Sequence, residues 1–468
     1  MKNLFKILLI IALSWTAGAA QAQNTSRYLD KELASGWRSY SDTEQIGELP
    51  SSEWWKKFGD STLDSLIEVG LQRNYNVAMA TRRIQIAQNA VGSARASYYP
   101  DFSVGVGYNI ARSSGLLAGS KGSASTESYF SGTVSMNWEI DVFGKVKSQV
   151  NAKKAAVKVS RVDRAGIMVS LAAQIASTYI DMRVAQAEIN IANENAKSQK
   201  KALDIAQARF ETGLASKLDV DQAKTVYYNT LASLPSLENQ VHQDINSIAV
   251  LINEKPEAIE SQLSTPKALP AYIQIVSTGI PADLLRRRPD IVEAEYEIDE
   301  YAAQLGIAKK DYLPDLSLSG SFGVAAHNIG DMFRGPAFEY SIAPTLSWTI
   351  FDGFARKYNV ASARENMETA IDNYNLTVMT AYEETDNALA SYFTNVHYIQ
   401  ILDDLLSASR EYDRLSLDQY KNGLAAYINV ADAQVSLLEY ENTYIQAQGQ
   451  ALIALIDLYK ALGGGWSE

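Results

Sequence analysis

The stretch Tyr98–Ser103, which reads YYPDFS, recurs as Tyr312–Ser317, which reads YLPDLS. Two further motifs return in the same order, each about 210 residues later. In one motif a tryptophan is followed by an aspartate and a glycine: Trp138, Asp141 and Gly144, then Trp348, Asp352 and Gly353. The other is a Gly-Leu-Ala turn: Gly213, Leu214 and Ala215, then Gly423, Leu424 and Ala425. Three motifs repeated in one order indicate that a single structural unit was duplicated.

Four segments alternate apolar residues with small polar ones: 102–110, 130–140, 316–324 and 338–350. Alternation over roughly ten residues is typical of a strand that crosses an outer membrane. A half-buried sheet in a soluble sandwich would show the same period. The polar face is small and nearly uncharged, which favours a barrel with a water-filled lumen. Trp138 and Trp348, near strand ends, suit an interfacial girdle.

Four strands cannot enclose a lumen, because bacterial membrane barrels begin at about eight strands. An open sheet in lipid would leave two edges of unpaired backbone groups. Several chains would therefore share one barrel. Three chains would supply twelve strands and four chains sixteen, and the alternation alone does not choose between them.

The stretches between glycines, 144–213 and 353–423, contain no proline and carry apolar residues at alternating spacings of three and four. This spacing predicts two coiled-coil helices, each about 100 Å long at 1.5 Å per residue. Glycine accepts the left-handed backbone that ends a helix, so each helix should turn at Gly213 or Gly423. A second helix then returns along 217–253 or 428–462.

These elements predict a mixed α and β fold with the following organisation: a signal peptide over 1–22; an N-terminal extended segment with equatorial contacts over 23–60; repeat 1 over 61–253, with strands at about 101–112 and 129–141 and helices at about 62–99, 144–212 and 217–253; a linker over 254–280; repeat 2 over 281–462, with strands at about 315–325 and 338–351 and helices at about 289–312, 353–422 and 428–462; and a tail over 463–468. Arg286, Arg287 and Arg288 suggest a structural junction, with a binding patch as the alternative.

The N-terminus predicts export. Lys2 and Lys6 precede the apolar run 7–17, and Ala20–Ala22 (AQA) matches a cleavage site. A membrane anchor is disfavoured because the apolar run is too short to span a bilayer. Cleavage would remove two lysines and change the net charge from −12 to −14.

Composition excludes several function classes. A net charge of −12 argues against nucleic acid as a partner. Because the chain has no cysteine, disulfides, thiol catalysis and cysteine–zinc sites are excluded. The three histidines, His242, His327 and His397, lie far apart and lack metal-ligand spacing. No constellation of acid, base and nucleophile is visible, so we expect neither enzymatic activity nor a cofactor.

Three further motifs are specific enough to compare with known families: Trp54–Asp60 (WWKKFGD), Gly279–Ile291 (GIPADLLRRRPDI) and Leu462–Trp466 (LGGGW). In these motifs the chain resembles the TolC-type outer membrane efflux ducts, in particular the OprM/NodT-like branch. The resemblance extends over nearly the whole mature chain. It implies a homotrimer whose twelve-stranded antiparallel barrel lies in outer-membrane lipid and continues into a periplasmic barrel of twelve helices.

The resemblance also implies partners and cargo. The expected partners are a periplasmic adaptor protein, which contacts the helix-turn tips at Gly213, Leu214, Ala215, Gly423, Leu424 and Ala425, and an inner-membrane pump of the proton-driven RND type. We expect passive conduction of drugs and other small toxic compounds. The alternative is the duct of a type I protein-secretion system. Many relatives carry a lipid on a cysteine, and a chain without cysteine would lack that anchor.

A periplasmic gate is implied at the second turn. The family's closed tip is ringed by acidic residues just beyond the second glycine, which here points to Asp432, with Ile428 as an apolar constriction. Asn429 occupies a position that is acidic in some members, and its first-copy equivalent is Asp219. Tyr420 matches a tyrosine that restrains the helices in TolC, whereas the position of TolC's partner arginine holds Ala425.

Overall fold

The computed structural model describes residues 52–114, 124–270 and 287–466. The predicted signal peptide and most of the Gly279–Ile291 motif fall outside these ranges. The chain divides into two compact units. The first contains the segments that end at Thr81, run from Arg161 to Val292, and begin at Asn375; the second contains Arg82–Ser160 and Glu293–Tyr374.

The second unit contains an antiparallel sheet of four strands in the order β1-β2-β3-β4. The strands are β1 (Asp101–Ser113), β2 (Ser125–Ile140), β3 (Asp315–Ala326) and β4 (Phe338–Ser347). The central pair, β2 with β3, joins the first copy of the repeat to the second, from Phe130↔Ala326 to Ile140↔Leu316. β2 starts earlier and β4 ends earlier than predicted.

The apolar face of this sheet is uncovered in the single chain. Val106 on β1 is 84% exposed and Tyr340 on β4 is 82% exposed. A soluble sandwich would bury such side chains against a second sheet. Among the described residues no second sheet exists, so the alternating faces that the sequence shows are not explained by sandwich packing.

Both copies of the tryptophan motif make the same contact. The indole Nε1 of Trp138 donates to the carbonyl of Tyr98, and that of Trp348 donates to the carbonyl of Tyr312, both at 3.0 Å. Each bond joins a tryptophan at or just past the end of a strand to the tyrosine two positions before the Pro-Asp dipeptide of its own copy. Repeated sequence therefore appears as repeated geometry at the helix–strand junction.

The α-helices of the described residues, in chain order, are α1 (Ser61–Arg73), α2 (Tyr75–Ala96), α3 (Lys145–Glu211), α4 (Lys217–Leu251), α5 (Pro256–Leu263), α6 (Pro289–Lys310), α7 (Ala355–Lys421) and α8 (Tyr427–Ala461). α3 and α7 have 67 residues each, about 100 Å at the α-helical rise. α4 and α8 have 35 each. None of the described helices is long and apolar enough to cross a membrane.

Two local features differ from the sequence expectations. The single helix expected over 62–99 is broken at Asn74, whose backbone is extended (φ −62°, ψ 134°). The Asn74 amide group explains the break, because it donates to the carbonyl of Leu251 at 2.8 Å and accepts from the amide of Asn76 at 2.7 Å. The linker expected over 254–280 contains α5, which begins with Pro256 at a position where proline costs no hydrogen bond.

Arg288 forms a structural junction. Its side chain is 9% exposed and bonds to Asp290 at 2.7 Å, to Glu384 at 2.6 Å and to the carbonyl of Ala461 at 3.0 Å. The guanidinium therefore links the start of α6 to α7 and to the end of α8. For Arg288, the prediction that the triple-arginine motif forms a structural junction is confirmed. Arg287 offers its carbonyl to the indole of Trp466, and Arg286 lies outside the described residues.

α3 and α8 pack closely in the first unit. A Cβ added to Gly449 would lie 2.4 Å from Cγ2 of Val184, so only glycine permits this approach. Gln446 donates to Glu188 at 2.6 Å, and Asn195 donates to Glu441 at 2.7 Å. These contacts set an antiparallel register that brings the end of α3 beside the start of α8, at the two glycine turns.

Candidate functional site

The two glycine turns have the same backbone geometry. Gly213 and Gly423 both have φ of +75°. In the first turn the amides of Gly213 and Leu214 donate to the carbonyls of Phe210 (2.9 Å) and Arg209 (2.7 Å), and the second turn repeats this pair of bonds with Tyr420 (3.0 Å) and Gln419 (2.9 Å) as acceptors. This is the Schellman arrangement, in which glycine at positive φ lets the last helical carbonyls find donors.

A buried cluster joins the two hairpins behind these turns. Its members come from α3, α4, α7 and α8: Ala202, Leu203, Ala206, Val220, Ala223, Tyr420, Tyr427, Val430 and Ala431. Alanines and valines predominate, so the helices approach closely, and the two tyrosines supply most of the bulk. The first and second copies are therefore packed against each other at the turns.

Tyr420 lies at the centre of this cluster and is 2% exposed. Its hydroxyl donates to Oδ2 of Asp219 at 3.2 Å, and its ring meets Tyr427 edge to face at 5.1 Å. Burial, with Asp219 as neighbour, raises the pKa of Tyr420 to about 12, so the hydroxyl remains a donor at physiological pH. Asp219 also accepts from Ser216 Oγ at 2.6 Å, which fixes its carboxylate.

The other predicted gate residues lie on an exposed face of α8. Ile428 is 46% exposed, and Asn429 and Asp432 are also exposed. Ile428 and Asp432 are four positions apart, so they project from the same side of the helix. The structure thus brings Asp219 and Tyr420 together and leaves Ile428, Asn429 and Asp432 on a surface of the single chain.

The tips of the turns are apolar and exposed. Leu214 is 69% exposed and Leu424 is 78% exposed. Ala215 and Ala425 are half-buried beneath them. Equivalent positions in the two copies therefore present equivalent surfaces. The side chains diverge two residues later, where the first copy has exposed Lys217 and the second has buried Tyr427.

No group of His, Cys, Asp and Glu in the described ranges has the arrangement of a metal site. What the turn region offers is a set of contacts between two helical hairpins.

The profile of the outer membrane efflux protein family matches residues 66–254 and 280–464. The chain belongs to this family. The two matched segments coincide closely with the two copies of the repeat, and the resemblance drawn from the sequence motifs is confirmed.

Curated relatives of this efflux protein span nearly its whole length. It is 27% identical over 460 residues to outer membrane protein OprJ of Pseudomonas aeruginosa, covering 98% of this chain and 95% of the relative. It is 28% identical over 433 residues to the toluene efflux pump outer membrane protein TtgC of Pseudomonas putida, covering 92% and 89%. The solved structure of the outer-membrane channel OprN superposes with a TM-score of 0.86 at 27% identity, covering 93% of this chain and 97% of that one.

Sequence reasoning missed one residue of this efflux protein's turn region. Arg209, four positions before Gly213, donates from Nη1 to the carbonyls of Tyr420 and Lys421 (3.0 Å to the latter), and its guanidinium lies 4.8 Å from the centre of the Tyr420 ring. The only signal was that an arginine stood near the end of a helix, where its positive charge is generally favourable. Its contact with residues more than 200 positions away depends on how the two hairpins pack.

Proposed function

We propose that the chain is the outer-membrane duct of a tripartite efflux system and passively conducts small molecules across the outer membrane. The observation that carries the proposal is the family match over both halves of the chain. Each half supplies two strands and a helical hairpin. The exposed apolar face of the sheet supports placement of the strands in lipid, where such a face is favourable.

The proposed duct is a homotrimer. β1 and β4 each pair on one side only among the described strands, and unpaired strand edges are prohibitive in a bilayer. Three chains side by side would close their twelve strands into one antiparallel barrel. Each chain has four long helices, so the three chains together would form a wall of twelve helices. The internal duplication makes this wall pseudo-sixfold, because each chain supplies two similar units.

The proposed partners are an adaptor protein and an inner-membrane pump of the RND type. Leu214 and Leu424 are large apolar side chains exposed at the tips of the turns, which suits contact with another protein. The relative TtgC is described as part of a toluene efflux pump. By analogy the cargo proposed here is small and largely apolar, including antibiotics and solvents.

The proposed gate lies at the second turn. Three Asp432 carboxylates around the trimer axis would repel one another and attract cations, and three Ile428 side chains nearby would add a dewetting barrier. The Tyr420–Asp219 hydrogen bond would hold the second hairpin against the first in the closed state. Opening requires a ligand or partner that binds the open state more tightly than the closed one.

The test is expression in a strain that lacks its own efflux duct, together with an adaptor and an RND-type pump from the same source organism. Restored resistance to toluene and to apolar antibiotics is the expected result. A control strain carries the same genes with this chain deleted. If resistance is not restored while the culture supernatant gains a secreted protein, the duct serves type I secretion, and the efflux proposal is wrong.

A further inference from the structure

Arg209 occupies the place where the C-terminal ends of two long helices meet. Nη2 donates to Leu214 O at 3.4 Å, just beyond the end of its own helix α3. Nη1 donates to Tyr420 O and Lys421 O, in the last turn of α7. The C-terminal end of a helix carries partial negative charge, so a guanidinium placed between the ends of α3 and α7 is favourable to both helices.

The second copy has no equivalent charge. The position 210 residues after Arg209 is Gln419, which is exposed. A single arginine of the first copy therefore serves both turns. The contact is asymmetric: Arg209 reaches from the first hairpin to the second, and no second-copy residue at the matching position reaches back.

Arg209 and Asp219 contact different parts of the Tyr420 side chain. The guanidinium lies over the ring at 4.8 Å, while Asp219 accepts from the hydroxyl. The hydrogen bonds from Arg209 go to backbone carbonyls, so they depend on the position of the α7 backbone. A cation over an aromatic face adds attraction when the pair is withdrawn from water.

The guanidinium of Arg209 also lies beside the backbone of the second turn. A Cβ on Gly423 would lie 3.5 Å from Nη2 of Arg209, so the guanidinium rests directly against the glycine turn. The atom Nε of Arg209 is buried without a partner in the described residues. The guanidinium is thus bonded through Nη1 and Nη2 at the turn, where the two hairpins would separate on opening.

We propose that Arg209 is a positioning residue that holds the second helix turn against the first and so keeps the duct closed. It links the hairpin of the first copy to that of the second in a chain that has Ala425 where TolC has an arginine. The proposal rests on the proposed function, since it assigns Arg209 a role in the gating of that duct. Any movement that separates α7 from α3 at the turns must break its bonds to Tyr420 O and Lys421 O.

The experiment compares purified variants in planar lipid bilayers without adaptor. Arg209→Ala should raise the probability of the open state about tenfold or more, because hydrogen bonds from a charged donor contribute on that scale. Arg209→Lys should give a smaller increase, since an ammonium keeps the charge but lacks the planar fork that serves several acceptors. Gln419→Ala, at the matching second-copy position, is the control and should open no more often than the wild type.

A second comparison separates Arg209 from the tyrosine hydroxyl. Tyr420→Phe removes the donor to Asp219 but keeps the ring and the carbonyl that Arg209 contacts. In this background Arg209→Ala should still raise the open probability severalfold, and Arg209→Met, which keeps an apolar stem, should do the same. Loss of the arginine effect in the Tyr420→Phe background would overturn the proposal.

Assembly and function are measured on the same samples. The amount of trimer in the outer membrane and the ability to restore efflux should match the wild type, as expected for a variant that changes only the closed state. If Arg209→Ala and Arg209→Met do not assemble, Arg209→Lys decides, and an unchanged open probability overturns the proposal. A wild-type chain that neither conducts nor restores efflux would instead contradict the proposed function.

Discussion

At the scale of single residues, the differences between the copies carry the specific chemistry of the turn region. Asp219 in the first copy aligns with Asn429 in the second, and Lys217 aligns with Tyr427. The backbone has the same geometry in both turns, so the contacts that differ between them come from the side chains. The second copy supplies the buried tyrosine, and the first supplies the carboxylate that anchors it.

The Tyr420 hydroxyl should contribute to closure. Tyr420→Phe removes one hydrogen bond to Asp219 and costs about 1 kcal/mol of closed-state stability per chain, a typical net value for one such bond. We expect a severalfold rise in resting conductance, measured in planar bilayers. Tyr412→Phe, at a 47%-exposed position of the same helix, is the control. An unchanged conductance in Tyr420→Phe would show that the hydroxyl does not restrain the hairpins.

Asp432 should govern the response to cations. Asp432→Ala would remove three negative charges from the proposed ring, so cation selectivity and block by multivalent cations should fall. Asn429→Asp would add three charges one turn closer to the tip and should strengthen cation block. Both effects are measured as reversal potential and block in bilayers under a salt gradient. Equal selectivity in wild type and Asp432→Ala would place Asp432 outside the conduction path.

At the scale of elements, the helices and strands follow from local pattern, whereas their partners do not. The length of α3 could be predicted because no proline or glycine turn interrupts it before Gly213. The break at Asn74 could not, because it depends on the carbonyl of Leu251, 177 positions away. The contact of Arg209 with Tyr420 was hidden for the same reason.

The approach of α3 to α8 should depend on Gly449. Gly449→Leu would place its side chain against Val184, and overpacking of this kind costs about 1 to 3 kcal/mol. The thermal midpoint of the purified protein should fall, and Val184→Ala should restore part of it. Gly92→Ala, where nothing lies within 4 Å, is the matched helical control and should be neutral or stabilising. An unchanged midpoint in Gly449→Leu would contradict close packing here.

The stability of α4 should depend on pH through Asp244. Burial and the nearby Asp181 raise the pKa of Asp244 from 3.8 to about 6, although Gln240 donates to it at 3.0 Å. A raised carboxyl pKa means that the folded state binds the proton more tightly than the unfolded state. The ionised form therefore destabilises α4 above pH 6, and this destabilisation disappears as the pH falls towards 4.

Hydrogen exchange checks this prediction. After correction for intrinsic rates, the amides of α4 should be better protected at pH 5 than at pH 7.5. Asp244→Asn should raise the protection at pH 7.5 and remove the difference. Asp221→Asn, at an exposed position of the same helix that is paired with Lys217, should leave it intact. Protection that rises with pH in the wild type would reverse the assigned sign.

At the scale of the whole molecule, a single chain leaves open the surfaces that lipid and neighbouring chains would cover. Among the described residues the sheet has four strands, its apolar face would meet lipid, and its two open edges would pair with neighbouring chains. The purified protein should therefore have about three times the mass of the mature chain by light scattering in mild detergent. In strong denaturant the measured mass should fall to that of one chain. A monomer in mild detergent would contradict the trimer.

The sequence by itself determined the repeat, the mixed α and β class, the strand alternation, the glycine turns and the family. These features are encoded by neighbours in the chain: period-two and period-three-to-four spacing, the backbone freedom of glycine, and short motifs. Only the tertiary structure decided that Arg209 and Asp219 meet Tyr420, and that Gly449 admits Val184. Such contacts join positions more than 200 residues apart, and their formation depends on the register of packed helices, which no local pattern specifies.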